Sequence, residues 1–159
     1  MFNLARRLVP VVAVSVAIAA PLLAHQFTVG KLLIGHPWSR ATSPRATTAG
    51  GYLSITNSGD QPDKLIGATS PYAKTVILHS MTMDGGIMRM RPVKGGLVIP
   101  AKGKVALDPD GYHLMFTGLK GQFVEGAMVP ATLRFERAGS VTVQFKVEAP
   151  GATMKMEGM

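Results

Sequence analysis

The 159-residue chain is long enough for one domain with an apolar core of ordinary size. It contains no cysteine, which excludes disulfide bonds, thiolate nucleophiles and thiolate metal ligands. The formal net charge is +8, but the lysines and arginines are scattered and aromatic residues make up only 6% of the chain. A nucleic-acid groove needs clustered charge and stacking rings, so no nucleic-acid partner is expected.

The first 24 residues have the pattern of a secretory signal peptide. Arg6 and Arg7 precede an apolar run over 8–20, and the sequence PLLA leads to a predicted cleavage after Ala24. The apolar run is short for a bilayer span and is interrupted by proline. We therefore expect export and removal of the segment, with no stable membrane insertion afterwards. An uncleaved membrane anchor is the alternative.

The rest of the chain consists of short apolar runs separated by turns rich in Gly, Pro, Asn and Asp. Many short strands at regular spacing are typical of an all-β sandwich. No long segment after residue 24 repeats with a period of 3.6 residues, so long helices are not expected. The predicted strands are 27–34, 50–57, 63–69, 75–82, 87–92, 104–108, 112–118, 131–137 and 140–148.

Two further segments are predicted to be irregular. Residues 35–49 are rich in proline and threonine and are predicted to form a connector. In it we expect Trp38 in the core, His36 as a loop hydrogen-bonding residue and Arg40 at the surface or in a salt bridge. The last ten residues are polar and glycine-rich and are predicted to be a flexible tail. The predicted organisation is a signal peptide (1–24), a β-sandwich domain (25–149) and a Met-rich tail (150–159).

The stretch HSMTMDGGIMRM, residues 79–90, places one histidine and four methionines around a Gly-rich turn. A two-residue hairpin loop at Asp84-Gly85 is favoured and sets His79 opposite Met90, on the same face. A loop at Gly85-Gly86 makes the two residues diagonal neighbours on that face. A three-residue loop would place them on opposite faces. The stretch is therefore either half of a metal site or a set of core-filling methionines.

The strand YHLMF, residues 112–116, supplies a second histidine and a further methionine. Strand alternation places Tyr112, Leu114 and Phe116 on one face and His113 and Met115 on the other. The first face carries three large apolar residues and is predicted to face the core. His113 and Met115 are therefore predicted to point outward together, which is unexpected for residues that serve only in packing.

Two histidines and two methionines form a ligand set that suits Cu(I), because thioether sulfur is a soft, neutral ligand. Zinc sites favour cysteine, histidine and carboxylate, and hard cations favour oxygen. The flanking residues Met81, Met83 and Met88 are interpreted as packing or partner-docking residues. No acid–base pair or activated nucleophile stands out, so an enzyme is not predicted.

These residues resemble the signature of the periplasmic copper chaperones of the PCuAC family: a His, ten residues, a Met, a longer spacer and His-x-Met. Here ten residues separate His79 from Met90, and 22 separate Met90 from the pair His113-x-Met115. The second spacer is one residue longer than the usual form. The similarity extends over residues 27–148 and includes HPWSRAT, GGYLSITNSGDQPDKLIGATSP, MRMRPV, LDPDGYHLMFTGLK and EGAMVPATLRFERAGSVTV.

The resemblance implies a cupredoxin-like Greek-key β-sandwich that binds Cu(I) in the periplasm. It implies His79, Met90, His113 and Met115 as ligands, and no catalytic residues. The implied recipient of copper is the copper centre of a respiratory cytochrome oxidase, reached directly or through its assembly factors. We expect a monomer, with a metal-linked dimer left open.

Three alternatives stay open on the sequence. The Met-rich face could bind a protein partner in a non-catalytic adhesion or assembly module. After cleavage, His25 would be the N-terminal residue and could chelate Cu(II), as in oxidative copper enzymes. The tail residues Met154, Met156 and Met159 could hold a secondary copper ion or form an ordinary solvated tail. The tail has no histidine, which disfavours Cu(II) there.

Overall fold

The computed structural model describes residues 26–153, which form β-strands and connecting loops. No helix within this range is long and apolar enough to cross a membrane. The predicted signal peptide (1–24), His25 and the tail methionines Met154, Met156 and Met159 lie outside the described residues. The strands are β1 Gln26–Val29, β2 Leu32–Arg40, β3 Thr48–Asn57, β4 Asp63–Thr69, β5 Ala73–Asp84, β6 Ile87–Pro92, β7 Leu97–Ile99, β8 Lys104–Leu107, β9 Tyr112–Leu119, β10 Met128–Phe135 and β11 Gly139–Glu148.

Seven of these strands close into a barrel-like sheet. Their order is β2, β11, β10, β4, β5, β9 and β3, and β3 pairs with β2 to complete the circuit. β2 and β11 run parallel, whereas the other pairings are antiparallel. β1, β6, β7 and β8 extend the sheet beside β2, β5, β4 and β3. The all-β prediction is confirmed, and closure leaves few free edges among the central strands.

The barrel interior is filled by the apolar side chains that alternate along the strands. Phe116 packs edge-on against both Phe123 and Phe145, with ring centroids 5.5 Å apart in each pair. Gly51 on β3 lies under two of these rings. A Cβ on Gly51 would sit 2.7 Å from the Phe116 ring and 3.0 Å from the Phe145 ring, so only glycine allows this close approach. This contact holds β3 tightly against β9, which carries His113.

The first predicted strand, 27–34, is wrong as a single element. The chain turns at Gly30 and Lys31, and β2 folds back on β1 as a hairpin that pairs Val29 with Leu32. Gly30 has φ +55°, in the region where glycine has no steric penalty. The turn thus depends on one glycine inside an otherwise continuous apolar run.

The predicted connector 35–49 is wrong at both ends, because only 41–47 lies between strands. β2 continues to Arg40, with a register shift between Gly35 and Trp38. The irregularity accommodates Pro37, which cannot donate to the ladder, and places exposed His36 at φ +47° within the strand rather than in a loop. The predicted burial of Trp38 is confirmed at 1% exposure.

The other predicted strands are confirmed within about three residues at their ends. Strand β7 was not predicted from the sequence. It has three residues, pairs with β4, and buries Leu97 and Ile99 on either side of exposed Val98. Three residues are too few for an alternation to be recognised.

Asp63, at the start of β4, anchors the turn between β10 and β11. Its carboxylate accepts hydrogen bonds from the backbone N–H groups of Lys64 (2.7 Å), Arg137 (2.9 Å) and Ala138 (2.9 Å). The side chain is 7% exposed, so water cannot readily replace these bonds. The carboxylate therefore fixes one end of the barrel.

Replacing Asp63 with alanine should lower the free energy of unfolding by about 3 kcal/mol, because three amide donors lose a charged acceptor. The measurement is urea denaturation of the chain without residues 1–24. Asp60→Ala is the matched control. Asp60 is exposed and pairs with Lys102 at 3.1 Å, so its loss should change stability by less than about 0.5 kcal/mol. Equal stability of the two variants would contradict the anchoring role.

Candidate metal centre

The β5–β6 hairpin turns through a two-residue loop, Gly85-Gly86. Asp84 pairs with Ile87, and both glycines have positive φ, +57° and +80°. A type I′ turn requires positive φ at both central positions, which two glycines provide without strain. The loop therefore has an even number of residues. This is the condition under which His79 and Met90 lie on the same face of the hairpin.

The favoured loop at Asp84-Gly85 is wrong, and the alternative at Gly85-Gly86 is the one observed. Asp84 stays in the strand, where its carboxylate lies 3.5 Å from the Arg89 guanidinium and 3.9 Å from that of Arg91. A turn at Gly85-Gly86 also spares Asp84 a left-handed backbone conformation. In this register His79 pairs with Pro92 and Met81 pairs with Met90, so His79 and Met90 are diagonal neighbours.

One face of the hairpin consequently collects its histidine and all its methionines. Residues that pair directly or alternate along a strand share a face. Met81 faces Met90, and Met83 faces Met88. His79 is next in line on β5, at the inner end of this face. We name the four residues Met81, Met83, Met88 and Met90 the methionine ladder.

Strand β9 brings the second histidine beside the first. His79 pairs directly with His113, and Ile77 pairs with Met115. The two imidazole rings have centroids 5.8 Å apart and are tilted by 55°. The sheet thus aligns two imidazoles and several thioethers on one surface. Among residues 26–153, no group of three His, Cys, Asp or Glu side chains could hold a metal ion.

The predicted faces of β9 are partly confirmed. Leu114 and Phe116 are fully buried in the core, as expected, but Tyr112 is 40% exposed because it lies at the strand end, beyond the packed interior. His113 is on the opposite face, as predicted, yet it is only 3% exposed. It points away from the core, as the alternation predicts, but other side chains cover it.

A half-open cavity of about 270 Å³ adjoins His113. Three of the four predicted ligands, Met90, His113 and Met115, line it together with Met81. His79 is not part of this lining and lies next to it, across the β5–β9 pairing. The remaining lining residues are Arg40, Thr48, Ala49, Gly50, Tyr52 and Pro109.

Both histidines present a buried nitrogen with no hydrogen-bond partner. In the described part of the chain, the buried side-chain N and O atoms that lack a partner are Nδ1 of His79 and Nε2 of His113. Leaving such an atom unsatisfied costs on the order of 1–3 kcal/mol. Two neighbouring imidazoles, each with an unpartnered nitrogen, offer lone pairs that a metal ion could satisfy.

The tautomer of His113 is set by its backbone neighbour. Nδ1 lies 3.2 Å from the carbonyl oxygen of Gly111. A carbonyl can only accept, so Nδ1 carries a proton, and in the neutral ring the lone pair is on the unpartnered Nε2. Metal-binding histidines usually donate their second N–H in this way, which fixes the ring and its tautomer.

His79 is held in its neutral form. Burial of the ring lowers the pKa of His79 below its ordinary value of 6.5, and the neighbouring His113 lowers it further, because a second positive charge would be repelled. Only the neutral ring offers a lone pair to a metal. The lowered pKa of His79 therefore favours the form of this ring that can coordinate an ion.

Arg40 forms part of the cavity wall and was not predicted there. Its guanidinium carbon lies 6.0 Å from the ring centres of both Trp38 and Tyr52, and its Nε donates to the carbonyl of Ala152 (2.9 Å). Arg40 was predicted at the surface or in a salt bridge; it is half-buried, and it stacks on the two rings and contacts the backbone instead of a carboxylate. This contact also fixes the first residues of the predicted flexible tail.

Tyr52 and Gly50 complete the wall next to Met115. Gly50 pairs with Met115, and a Cβ on Gly50 would overlap the Tyr52 hydroxyl. Sequence reasoning missed these residues and Met81 as lining residues. The alternation over GGYLS on β3 and the pairing of Met81 with Met90 could have indicated these lining residues. Neither feature is sufficient without knowledge of which strands become neighbours in the sheet.

The chain matches a known family over most of its length. The family model described as "Putative lipoprotein LpqE-like" covers residues 32–147. "Putative lipoprotein Lxx21020" of Leifsonia xyli subsp. xyli (strain CTCB07) is 31% identical over 115 residues, which are 72% of this chain and 68% of that protein.

Solved structures give the same assignment and confirm the cupredoxin-like fold. The copper-bound PCuAC domain from PmoF2 is 33% identical, with a TM-score of 0.68 over 79% of this chain and 99% of that domain. The Cu(I) form of DR1885 from Deinococcus radiodurans is 32% identical, with a TM-score of 0.59 over 80% of this chain and 83% of that one. The chain therefore belongs to the LpqE-like family of PCuAC copper-chaperone domains.

Proposed function

We propose that this chain is a Cu(I) metallochaperone whose ligands are His79, Met90, His113 and Met115. The observation that carries the proposal is the pair of buried, unpartnered imidazole nitrogens, on facing strands beside a thioether-lined cavity. The solved relatives include copper-bound and Cu(I) forms, which agrees with this choice of ion.

The donor set favours Cu(I) over other common ions. Thioethers are soft, neutral ligands, which suit the soft, singly charged Cu(I) ion. They supply no negative charge to a hard or divalent ion, and such ions bind poorly to neutral ligands. Thioethers also need no deprotonation, and the neutral His113 ring offers the lone pair of its unpartnered Nε2. The carboxylates of Asp108 and Asp110 lie beyond the cavity that His113 lines.

Copper delivery in this proposal requires only ligand exchange. The ion keeps its oxidation state, and each new bond to an acceptor ligand replaces one bond to the chaperone. Met90 is 44% exposed whereas His113 is buried, so an approaching acceptor would first displace the thioether. No substrate bond is made or broken, so we assign no catalytic residue.

We further propose that the chain acts in the periplasm, after removal of residues 1–24. The relatives named as lipoproteins are consistent with export. The proposed acceptor is the copper centre of a respiratory cytochrome oxidase.

An anaerobic Cu(I) titration against a chromogenic chelator tests the ligand set. The parent should bind one tight Cu(I), and His113→Ala or Met90→Leu should each weaken binding at least about tenfold, equivalent to ~1.4 kcal/mol. Met128→Leu is the matched control, since Met128 is similarly exposed (41%) but lies on β10. Parent-like affinity in both ligand variants would refute this site. A parent that binds no copper specifically would favour the adhesion-module alternative.

The acceptor is tested by mixing the copper-loaded chain with the soluble copper-binding domain of an oxidase subunit. Transfer should proceed without added reductant or chelator, because only ligands are exchanged. Separation of the two proteins followed by metal analysis measures it. Copper that stays on the chain when the acceptor binds Cu(I) more tightly would exclude this recipient.

The pKa of His79 in the metal-free chain should lie below 6.5, measured by NMR titration of the ring signals. His113→Ala should raise it, because the repelling second imidazole is removed. Since the folded-state pKa is below the unfolded value, the unfolded chain binds more protons. Stability from this group is therefore complete above about pH 6.5 and decreases as the pH falls toward the folded-state pKa. A pKa above 6.5 would contradict the burial argument.

A further inference from the structure

The methionine ladder leads from the proposed copper site to the tip of an exposed hairpin. His79, Met81 and Met83 succeed one another on one face of β5, so each step covers two strand residues, about 7 Å. Met81 and Met83 each face a methionine of β6. Every position along this line therefore offers a soft donor or a pair of them.

Exposure rises from His113, beside the inner end of the ladder, to the outer methionines. His113 is 3% exposed at the inner end, Met90 is 44% exposed, and the outer pair Met88 and Met83 reach 51% and 68%. Large apolar side chains at such exposure contribute little to the core. The proposed four-ligand site does not use Met83 or Met88, so packing and the proposed function leave this outer pair unexplained.

A second cavity adjoins the first at Met81. It has a volume of about 500 Å³ and shares Met81, Arg40 and Pro109 with the cavity around His113. Met88 lines it, together with the carboxylate-bearing residues Asp108 and Asp110. Acidic groups beside thioethers attract a cation, although Arg40 on the same wall partly offsets them. Met81 is therefore the methionine that both cavities share.

We propose that the methionine ladder is an exit path for Cu(I), and that Met83 and Met88 form an outer site where the acceptor takes the ion. This inference rests on the proposed Cu(I)-binding function. Cu(I) moves outward as a bond to Met81 or Met88 forms and a bond to an inner ligand breaks. The ion is neither oxidised nor reduced, and no proton is transferred.

The test compares the double variant Met83→Leu/Met88→Leu with the parent and with the control Met128→Leu. Each protein is loaded with one equivalent of Cu(I), and a bulky chelator, bathocuproine disulfonate, removes it in a stopped-flow experiment. The double variant should keep the parent affinity within about twofold but lose copper about tenfold more slowly, a barrier increase of ~1.4 kcal/mol. Met128→Leu should match the parent in both measurements.

The outcomes separate this inference from the proposed function. Parent-like release from the double variant would overturn the exit path and leave the inner site intact. A large loss of affinity in the double variant would also overturn it, because Met83 or Met88 would then belong to the inner site. A parent without tight Cu(I) binding would instead overturn the proposed function.

A second measurement looks at the outer site directly. In parent protein with ¹³C-methyl methionine, Ag(I) is added beyond one equivalent as a redox-inert substitute for Cu(I). The methyl signals of Met83 and Met88 should shift while that of Met128 stays in place. Unchanged signals for the outer pair would contradict an outer site.

Discussion

The direct pairing of His79 with His113 across β5 and β9 is the contact on which the proposed site depends. It places two imidazoles on one surface of a closed sheet, with an unpartnered buried nitrogen on each. The core secures this pairing from the other side, through Leu78 opposite Leu114 and the rings packed on Phe116. The packing of the core thus determines where the two histidines lie. Side chains alternate along a strand, so the residues next to buried Leu78 and Leu114 must lie on the outer face of the sheet.

The fold imposes different environments on ligands that look equivalent in the sequence. His113 is enclosed and oriented by the Gly111 carbonyl, whereas Met90 lies on a strand whose residues are all exposed. An ion bound by both residues would have one ligand that is fixed in place, His113, and one that a partner can replace, Met90. This asymmetry suits a carrier, which must retain its cargo in solution and release it to a partner.

Much of the architecture could be predicted from the sequence, because alternation and turn glycines are local signals. Strands β4 and β6 have the predicted bounds, and the shared face of His79 and Met90 followed from an even-numbered loop. Burial of His113 and the wall formed by Arg40 and Tyr52 could not be predicted. They arise where β2, β3 and the 108–111 loop meet, and single-strand periodicity contains no information on such long-range neighbours. The β1–β2 hairpin was missed because one glycine interrupts a continuous apolar run.

The two-residue turn at Gly85-Gly86 also determines where the chain can tolerate changes in length. One residue added within β5 or β6 would move Met90 to the opposite face, whereas one added in the turn would have to convert it into a three-residue loop. The 22 residues between Met90 and His113 contain β7, β8 and three loops, in which single residues can be inserted without turning a strand over. The spacer between Met90 and His113 is one residue longer than the usual form. In this spacer an added residue does not change the face on which either ligand lies.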